Sequence, residues 1–267
     1  MSSSGMILGI LLLSLIISVP VGATLESAFE TRLEQYAYRA QDNEQASINE
    51  TIQQAQATDK LALFVFGAQW CHDSVALADA FNSLELHTTL SEYYVVQFID
   101  VGYLQDKHEL VQSLGYPMYF GTPTVLVIEP NQRRLINENS IAQWANAASM
   151  TTTEMVQYFE DIVTNHNTIN REHRVSADNE QLQQYTQHQV ARLLAGYARL
   201  GPILAKYDAG IKSPAFIPLW QEVKEFRVAL QAELLRLRQI NRDMAYEGTV
   251  ELTARDFPAL SWEQTTP

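Results

Sequence analysis

The feature that most constrains the fold is a continuous apolar run at residues 61–66, Leu-Ala-Leu-Phe-Val-Phe. A run of this length without polar alternation is typical of a strand that is covered on both faces. Further short strands are predicted at 94–99, 124–128 and 134–136, and turn residues at 129–132 join the last two as a hairpin. We therefore predict an α/β fold in which a mixed β-sheet lies between helices.

Helices are predicted from apolar residues spaced three and four apart. In the first part of the chain they cover residues 25–40, 48–57, 71 to about 86, 106–114 and 152–163. Strands that alternate with helices in this order belong to one domain, at residues 45–165, preceded by an N-terminal helical segment at 24–44.

The C-terminal part is predicted to be a helical hairpin at 177–250, after a polar linker at 166–176 and before a tail at 251–267. Two long amphipathic helices joined by a short breaker segment pack antiparallel as a coiled coil. The hairpin cannot bury both apolar stripes alone, so it docks on the first domain, on a second copy as a homodimer, or on a partner. The stripes are Leu182, Val190, Leu193, Tyr197, Leu200, Leu204 and Tyr207, then Leu219, Val223, Phe226, Leu230, Leu234, Leu237 and Met244.

The first 23 residues are predicted to be a targeting signal. An apolar run at 6–19 is followed by Pro20 and small residues ending at Ala23, where a secretory signal is cleaved. No Lys or Arg precedes the run, so an uncleaved membrane anchor is the alternative. Both interpretations place the mature chain outside the cytosol.

Charge and cysteine content exclude several classes of protein. The 267 residues carry a formal net charge of −13, and no basic stripe interleaved with aromatic residues is present, so we predict no nucleic-acid partner. The single cysteine, Cys71, excludes an internal disulfide and a four-thiolate metal site. The histidines lack metal-ligand spacing, and no phosphate loop is found, so we predict neither a metal nor a cofactor.

The candidate reactive group is Cys71, in the segment Trp70-Cys71-His72-Asp73-Ser74 between a predicted strand and a helix. A cysteine in the first turn of a helix is expected to point its sulfur at unpaired N–H groups and the positive end of the helix dipole. These would favour the thiolate and lower the thiol pKa below about 8.5, with His72 acting in the same direction and Asp73 against it. The alternative is a small buried cysteine that only packs.

A second element is Gly121-Thr122-Pro123, directly before the predicted strand at 124–128. Proline at the start of a buried strand has no N–H to donate, so it belongs at an edge or in a special turn, where the X–Pro bond can be cis.

Together these residues resemble the thioredoxin superfamily, in particular bacterial extracytoplasmic thioredoxin-like proteins. The resemblance is carried by the strand at 61–66, Trp70-Cys71-x-x-Ser74, Thr122-Pro123 and the hairpin through Pro130. It implies a thioredoxin-like fold, Cys71 as the attacking thiol and Pro123 as a cis-proline beside it. It also implies that Thr122 and Pro123 form the substrate-binding groove, with Trp70, His72 and Ser74 around the thiol, and a periplasmic location.

The chain departs from the family at the second, resolving cysteine, which is Ser74 here, and at the buried acid of the preceding strand, which is Val65. A mixed disulfide formed at Cys71 would persist until an outside thiol arrives. The first hypothesis is therefore monothiol exchange with protein disulfides or a low-molecular-weight thiol, as an isomerase or by capture, with Ser74 as a hydrogen-bond donor to the thiolate. The second is a redox-inactive binding or dimerisation module that uses the helical hairpin.

Overall fold

The computed structural model describes residues 36–172, 179–247 and 252–264. The predicted signal or anchor at 1–23 lies outside these residues, as does most of the predicted N-terminal helix.

Helices and strands are numbered here in chain order. The strands are β1 (Leu61–Gly67), β2 (Tyr94–Asp100), β3 (Thr124–Glu129) and β4 (Arg134–Leu135). The helices are α1 (Glu44–Ala57), α2 (His72–Phe81), α3 (Leu84–Tyr93), α4 (His108–Ser113), α5 (Thr152–Glu172), α6 (Glu180–Asp208) and α7 (Phe216–Glu247). Two 3-10 segments lie at Glu138–Ser149 and Ser261–Glu263.

The strands form one mixed sheet in the order β2-β1-β3-β4. β1 runs parallel to β2 and antiparallel to β3, and β3 and β4 form the predicted hairpin. Every residue of β1 and β3 is buried, as the apolar runs predict. The α/β, thioredoxin-like arrangement followed by C-terminal helices is therefore confirmed.

Helices cover both faces of the sheet. Successive side chains of a strand point to opposite faces, so Phe64 and Phe66 join one apolar cluster while Leu63 and Val65 join another. Residues of α1, α4, α6 and α7 complete the first cluster, and residues of α2, α3 and α5 complete the second.

The helical hairpin α6–α7 docks on the first domain, which is one of the three predicted options. Leu193 and Leu200 of α6 and Leu230 of α7 are buried in the same cluster as the sheet residues. The two parts approach closely at Gly201, where a Cβ atom would lie 2.3 Å from the carbonyl oxygen of Tyr103. Most of the stripe residues that the structure describes are thus covered within the chain, although Tyr207 is exposed.

An ion cluster, which we call the Glu138 clasp, joins the hairpin to the sheet domain. Glu138 accepts hydrogen bonds from Arg238 and, at 2.8 Å, from Arg242, both on α7. Its side chain is 8% exposed. Burial acts to raise the pKa of Glu138, but the two guanidinium groups more than offset burial and lower it.

The C-terminal residues 252–264 pack against the hairpin. Leu252, Phe257 and Leu260 are buried. The Trp262 indole N–H donates to the carbonyl oxygen of Arg192 at 3.0 Å. The predicted tail is therefore part of the packed structure over these residues.

The single helix predicted from 71 to about 86 is wrong, because the chain breaks there into α2 and α3. Asn82 ends α2, and Ser83 begins α3 by accepting a hydrogen bond from the Leu86 N–H at 3.4 Å. Serine is among the preferred residues at a helix start, and it accounts for this second, unpredicted helix.

The helix predicted to reach residue 40 is also wrong where the structure describes it. Residues 36–41 are not helical, and Tyr36 and Tyr38 are buried with Ala37 partly exposed between them. Tyr36 exchanges two backbone hydrogen bonds with the side chain of Asn82, and both tyrosine rings contact Phe98. Burial of every second residue over 36–38 is the pattern of an extended backbone rather than of a helix.

The predicted linker at 166–176 is helical over its first part, since α5 extends to Glu172. Its remaining residues lie outside the described chain. The 3-10 segment at Glu138–Ser149 was not predicted.

Candidate functional site

Cys71 lies at the corner between β1 and α2, as the sequence predicts. It occupies the position before the first residue of α2, and its carbonyl oxygen accepts the first helical hydrogen bond, from the Val75 N–H at 3.0 Å. Its own N–H donates to the carbonyl oxygen of Ala68 at 3.1 Å, which closes the turn that follows β1. Cys71 is a free cysteine, and the residue is partly exposed.

The sulfur does not point where the sequence analysis predicts. Cys71 makes no side-chain hydrogen bond to the N–H groups of α2. Its Sγ instead lies 3.1 Å from the carbonyl oxygen of Thr122, to which the thiol donates. The reason is tertiary, because the loop before β3 places a strong acceptor within hydrogen-bond distance of the sulfur.

The Thr122–Pro123 peptide bond is cis, which confirms the prediction for this position. Both residues are buried. The Thr124 hydroxyl donates to the carbonyl oxygen of Gly121 at 2.7 Å across the turn. The hydrogen bond between Cys71 and Thr122 joins this turn to the helix start, so the two predicted elements form one site.

A cavity of about 610 Å³ opens over these residues. On the side of the sheet domain its lining includes Trp70, Cys71, His72 and the turn Gly121–Pro123. Ile141, Ala142 and Ala145 of the 3-10 segment add a second wall. Asp73 fixes that wall, since its carboxylate accepts a hydrogen bond from the Ala148 N–H at 3.0 Å.

Ser74 lies in the first turn of α2, three residues after Cys71, and does not line the cavity. It is fully buried, and its hydroxyl has no hydrogen-bond partner among the described residues, so the predicted bond to the sulfur is absent in this structure. A Cβ atom on Gly67 would lie 2.7 Å from Ser74 Oγ and 2.5 Å from the ring of Tyr38, so the absence of a side chain at 67 makes room for both. Burial raises the pKa of Tyr38.

Trp70 and His72 flank the cysteine at different depths. The Trp70 indole N–H donates to the carbonyl oxygen of Gly102 at 2.7 Å. The Trp70 ring packs edge-on against the Trp220 ring, with 6.1 Å between the ring centres. His72 is exposed at the cavity mouth. Trp70 thus fixes the corner, and it also contacts the hairpin.

The hairpin supplies the wall opposite the cysteine, and sequence reasoning missed this wall. Leu204, Tyr207 and Asp208 contribute from α6, and Trp220, Lys224, Arg227, Val228 and Gln231 are among the contributors from α7. The last five recur at helical spacing and so lie on one side of α7. Their spacing was visible in the sequence, but nothing in the sequence indicates which part of the protein that side faces.

Arg227 is the cation set deepest in this wall. Its guanidinium lies 5.6 Å from the centre of the Trp220 ring. Burial raises the pKa of Tyr197, and the positive charge of Arg227 acts against that rise. Arg227 therefore lies between the aromatic residues of the hairpin and the open cavity.

Two kinds of feature are absent from the part of the chain that the structure describes. No group of three or more acidic, histidine or cysteine side chains there is arranged to hold a metal ion. None of the helices there has the length and apolarity needed to cross a membrane.

The chain was compared with family models, curated protein sequences and solved structures. The chain matches no family model and no curated protein sequence. Among solved structures it is similar to the crystal structure of a disulphide isomerase from Xylella fastidiosa Temecula1, with 25% sequence identity and a TM-score of 0.43. The match covers 48% of this chain and 98% of that shorter chain, so about half of the present chain lies outside it.

Proposed function

We propose that this protein carries out monothiol thiol–disulfide exchange through Cys71. The observation that supports it best is the position of Cys71, a partly exposed residue that lines a cavity and whose sulfur lies 3.1 Å from the Thr122 carbonyl oxygen beside a cis-proline. A cysteine that only packs would be enclosed by apolar side chains, whereas this one lies at the start of a helix and faces open space.

The reaction begins when the thiol loses its proton to solvent. The thiolate then attacks one sulfur of a disulfide R–S–S–R, forming a Cys71–S–S–R bond as the original S–S bond breaks. Cys71 is oxidised, and the departing thiolate R–S⁻ is reduced and takes up a proton. Ionisation also frees the Thr122 carbonyl oxygen, which then becomes an acceptor for an N–H of a substrate that lies along the turn at Thr122 and Pro123.

The mixed disulfide has no internal route to release. Cys71 is the only cysteine, and the position of a resolving thiol is held by the buried Ser74. An outside thiol must therefore complete the exchange, whether it belongs to a small molecule, to the same protein substrate during isomerisation, or to another protein.

We place this activity outside the cytoplasm, in the periplasm. The support is the apolar run at residues 6–19 with small residues ending at Ala23. Protein disulfides persist in that compartment, so substrates for a monothiol protein are available there.

The test compares the purified wild type with Cys71→Ala and Ser74→Cys after incubation with bis(2-hydroxyethyl) disulfide. Intact mass spectrometry is expected to show one adduct on the wild type and none on Cys71→Ala. After excess reagent is removed, the wild-type adduct should persist until a thiol is added.

The Ser74→Cys variant should lose the adduct without added thiol, because residues three apart in a first helical turn lie within disulfide reach. A wild-type thiol that forms no adduct would contradict the proposal and favour the redox-inactive binding module. A wild-type adduct that disappears without a thiol would contradict the monothiol scheme.

A further inference from the structure

The side of α7 that lines the cavity carries two positively charged residues. Trp220, Lys224, Arg227 and Gln231 face the space above Cys71 from one side of the helix. Lys224 is exposed and Arg227 is partly buried, so one cation lies nearer the rim and the other lies deeper. Both belong to the hairpin, outside the sheet domain that carries the thiol.

These two cations have no carboxylate partner among the described residues. No described Asp or Glu oxygen lies within 4.0 Å of the Lys224 amine or the Arg227 guanidinium. Asp73 and Asp208 also line the cavity and keep their charges, since each accepts a hydrogen bond from a neutral donor, the Ala148 N–H and the Tyr103 hydroxyl. Neither forms an ion pair with the two cations, so the wall on α7 presents guanidinium and amine groups that can bind a ligand.

A guanidinium that is partly withdrawn from water and stacked near an aromatic ring is suited to bind a carboxylate, because its planar fork can donate two parallel hydrogen bonds. The cavity volume of about 610 Å³ is in the range of small-molecule sites. The hairpin covers one side of the site, which favours a compact ligand over the surface of a folded protein.

We propose that Arg227 and Lys224 bind a carboxylate of the disulfide that Cys71 attacks, so that the preferred substrate is a low-molecular-weight disulfide bearing carboxylates. This inference rests on the proposed exchange reaction and specifies its substrate. The electron balance is unchanged: Cys71 replaces one half of the disulfide, and that half leaves as a carboxylate-bearing thiol.

The experiment measures the rate at which the full chain forms a mixed disulfide with three small reagents of similar size. They are 3,3′-dithiodipropionate, which is anionic, bis(2-hydroxyethyl) disulfide, which is neutral, and cystamine, which is cationic. The formal net charge of −13 by itself predicts the slowest reaction for the anion. Our inference predicts the opposite, with the anionic reagent about tenfold faster than the neutral one, corresponding to about 1.4 kcal/mol of added binding.

Arg227→Gln should bring the ratio of the anionic to the neutral rate down towards one, and Lys224→Gln should lower it in part. Lys212→Gln is the matched control, because Lys212 is an exposed residue of the hairpin turn that does not line the cavity. It removes the same charge and should leave the ratio unchanged. The variant at Lys224, an exposed residue, also tests the idea if Arg227→Gln does not fold.

The possible outcomes distinguish a failure of the exchange function from a failure of the carboxylate site. Reaction of Cys71 with none of the three reagents contradicts the exchange function itself. Reaction with all three at rates that follow the net charge, or a ratio that Arg227→Gln and Lys224→Gln leave unchanged, overturns the carboxylate site and leaves the exchange function standing. A carboxylate-rich cystine peptide of about 20 residues that reacts faster than dithiodipropionate would overturn the assignment to small substrates.

Discussion

The Glu138 clasp gives a quantitative test of how the hairpin is held over the site. Glu138→Gln keeps the size of the side chain but removes the charge that neutralises Arg238 and Arg242. The carboxylate is 8% exposed, Arg242 is 11% exposed and Arg238 is 27% exposed, so the cluster is largely shielded from solvent screening. Removing one partner of a buried ion pair costs about 3–5 kcal/mol.

We expect a loss of about 3 kcal/mol, the lower end of that range, because Arg238 is partly solvated and the new amide oxygen still accepts one hydrogen bond. For a chain of this size each kcal/mol lowers Tm by roughly 2–4 °C. Thermal unfolding followed by far-UV circular dichroism should therefore show Glu138→Gln melting about 6–12 °C below the wild type at neutral pH.

The effect of Glu138→Gln on Tm is expected to depend on pH. The pKa of Glu138 is lowered from its ordinary value of 4.5, so its stabilisation is fully present above that pH and is lost as the pH falls through the folded value. The difference in Tm between wild type and variant should therefore shrink in acid, because the wild-type carboxyl becomes neutral as well.

Glu225→Gln is the control, since Glu225 is an exposed residue on the same helix. Its stability should stay within about 0.5 kcal/mol of the wild type. The reasoning is refuted if Glu138→Gln melts with the wild type at neutral pH, or if the difference between them is the same in acid.

Two further substitutions test the packing around the site. Gly201→Ala should destabilise the protein by about 2 kcal/mol in denaturant unfolding, because the new Cβ would lie 2.3 Å from the Tyr103 carbonyl oxygen. Gly121→Ala is the control, since a Cβ there would have its nearest contact at 3.9 Å. Equal stabilities of the two variants would contradict the close packing of α6 at Gly201. Ser74→Ala should be neutral or stabilising by up to about 1 kcal/mol and should leave the alkylation rate of Cys71 unchanged, because the buried hydroxyl has no hydrogen-bond partner among the described residues. A slower reaction at Cys71 would instead show that Ser74 supports the thiolate.

The local parts of the fold could be predicted from the sequence because each depends on neighbouring residues. An apolar run such as that of β1 is typical of a strand buried between two layers, and Cys71 comes four residues after that strand ends, directly before α2. The two stripes of α6 and α7 likewise predicted a hairpin, since their periodicity is a property of the helix alone.

The errors arose where distant contacts decide the local conformation. Tyr36 and Tyr38 are two residues apart, a spacing that does not bring side chains to one face of a helix, and both pack on the distant Phe98. The break between α2 and α3 has a local cause instead, because Asn82 ends one helix and Ser83 caps the next, which apolar periodicity alone does not indicate.

The candidate site also combines features that can be predicted from the sequence with features that depend on tertiary packing. The amino-acid sequence shows that the chain has one thiol, that this thiol follows a predicted buried strand, and that no second cysteine can release what it binds. The packing of distant segments is what places the sulfur against Thr122 and makes Arg227 line the same cavity. Periodicity along the chain specifies which side of a helix is apolar, but the partner of each side is set by the packing of residues far apart in sequence.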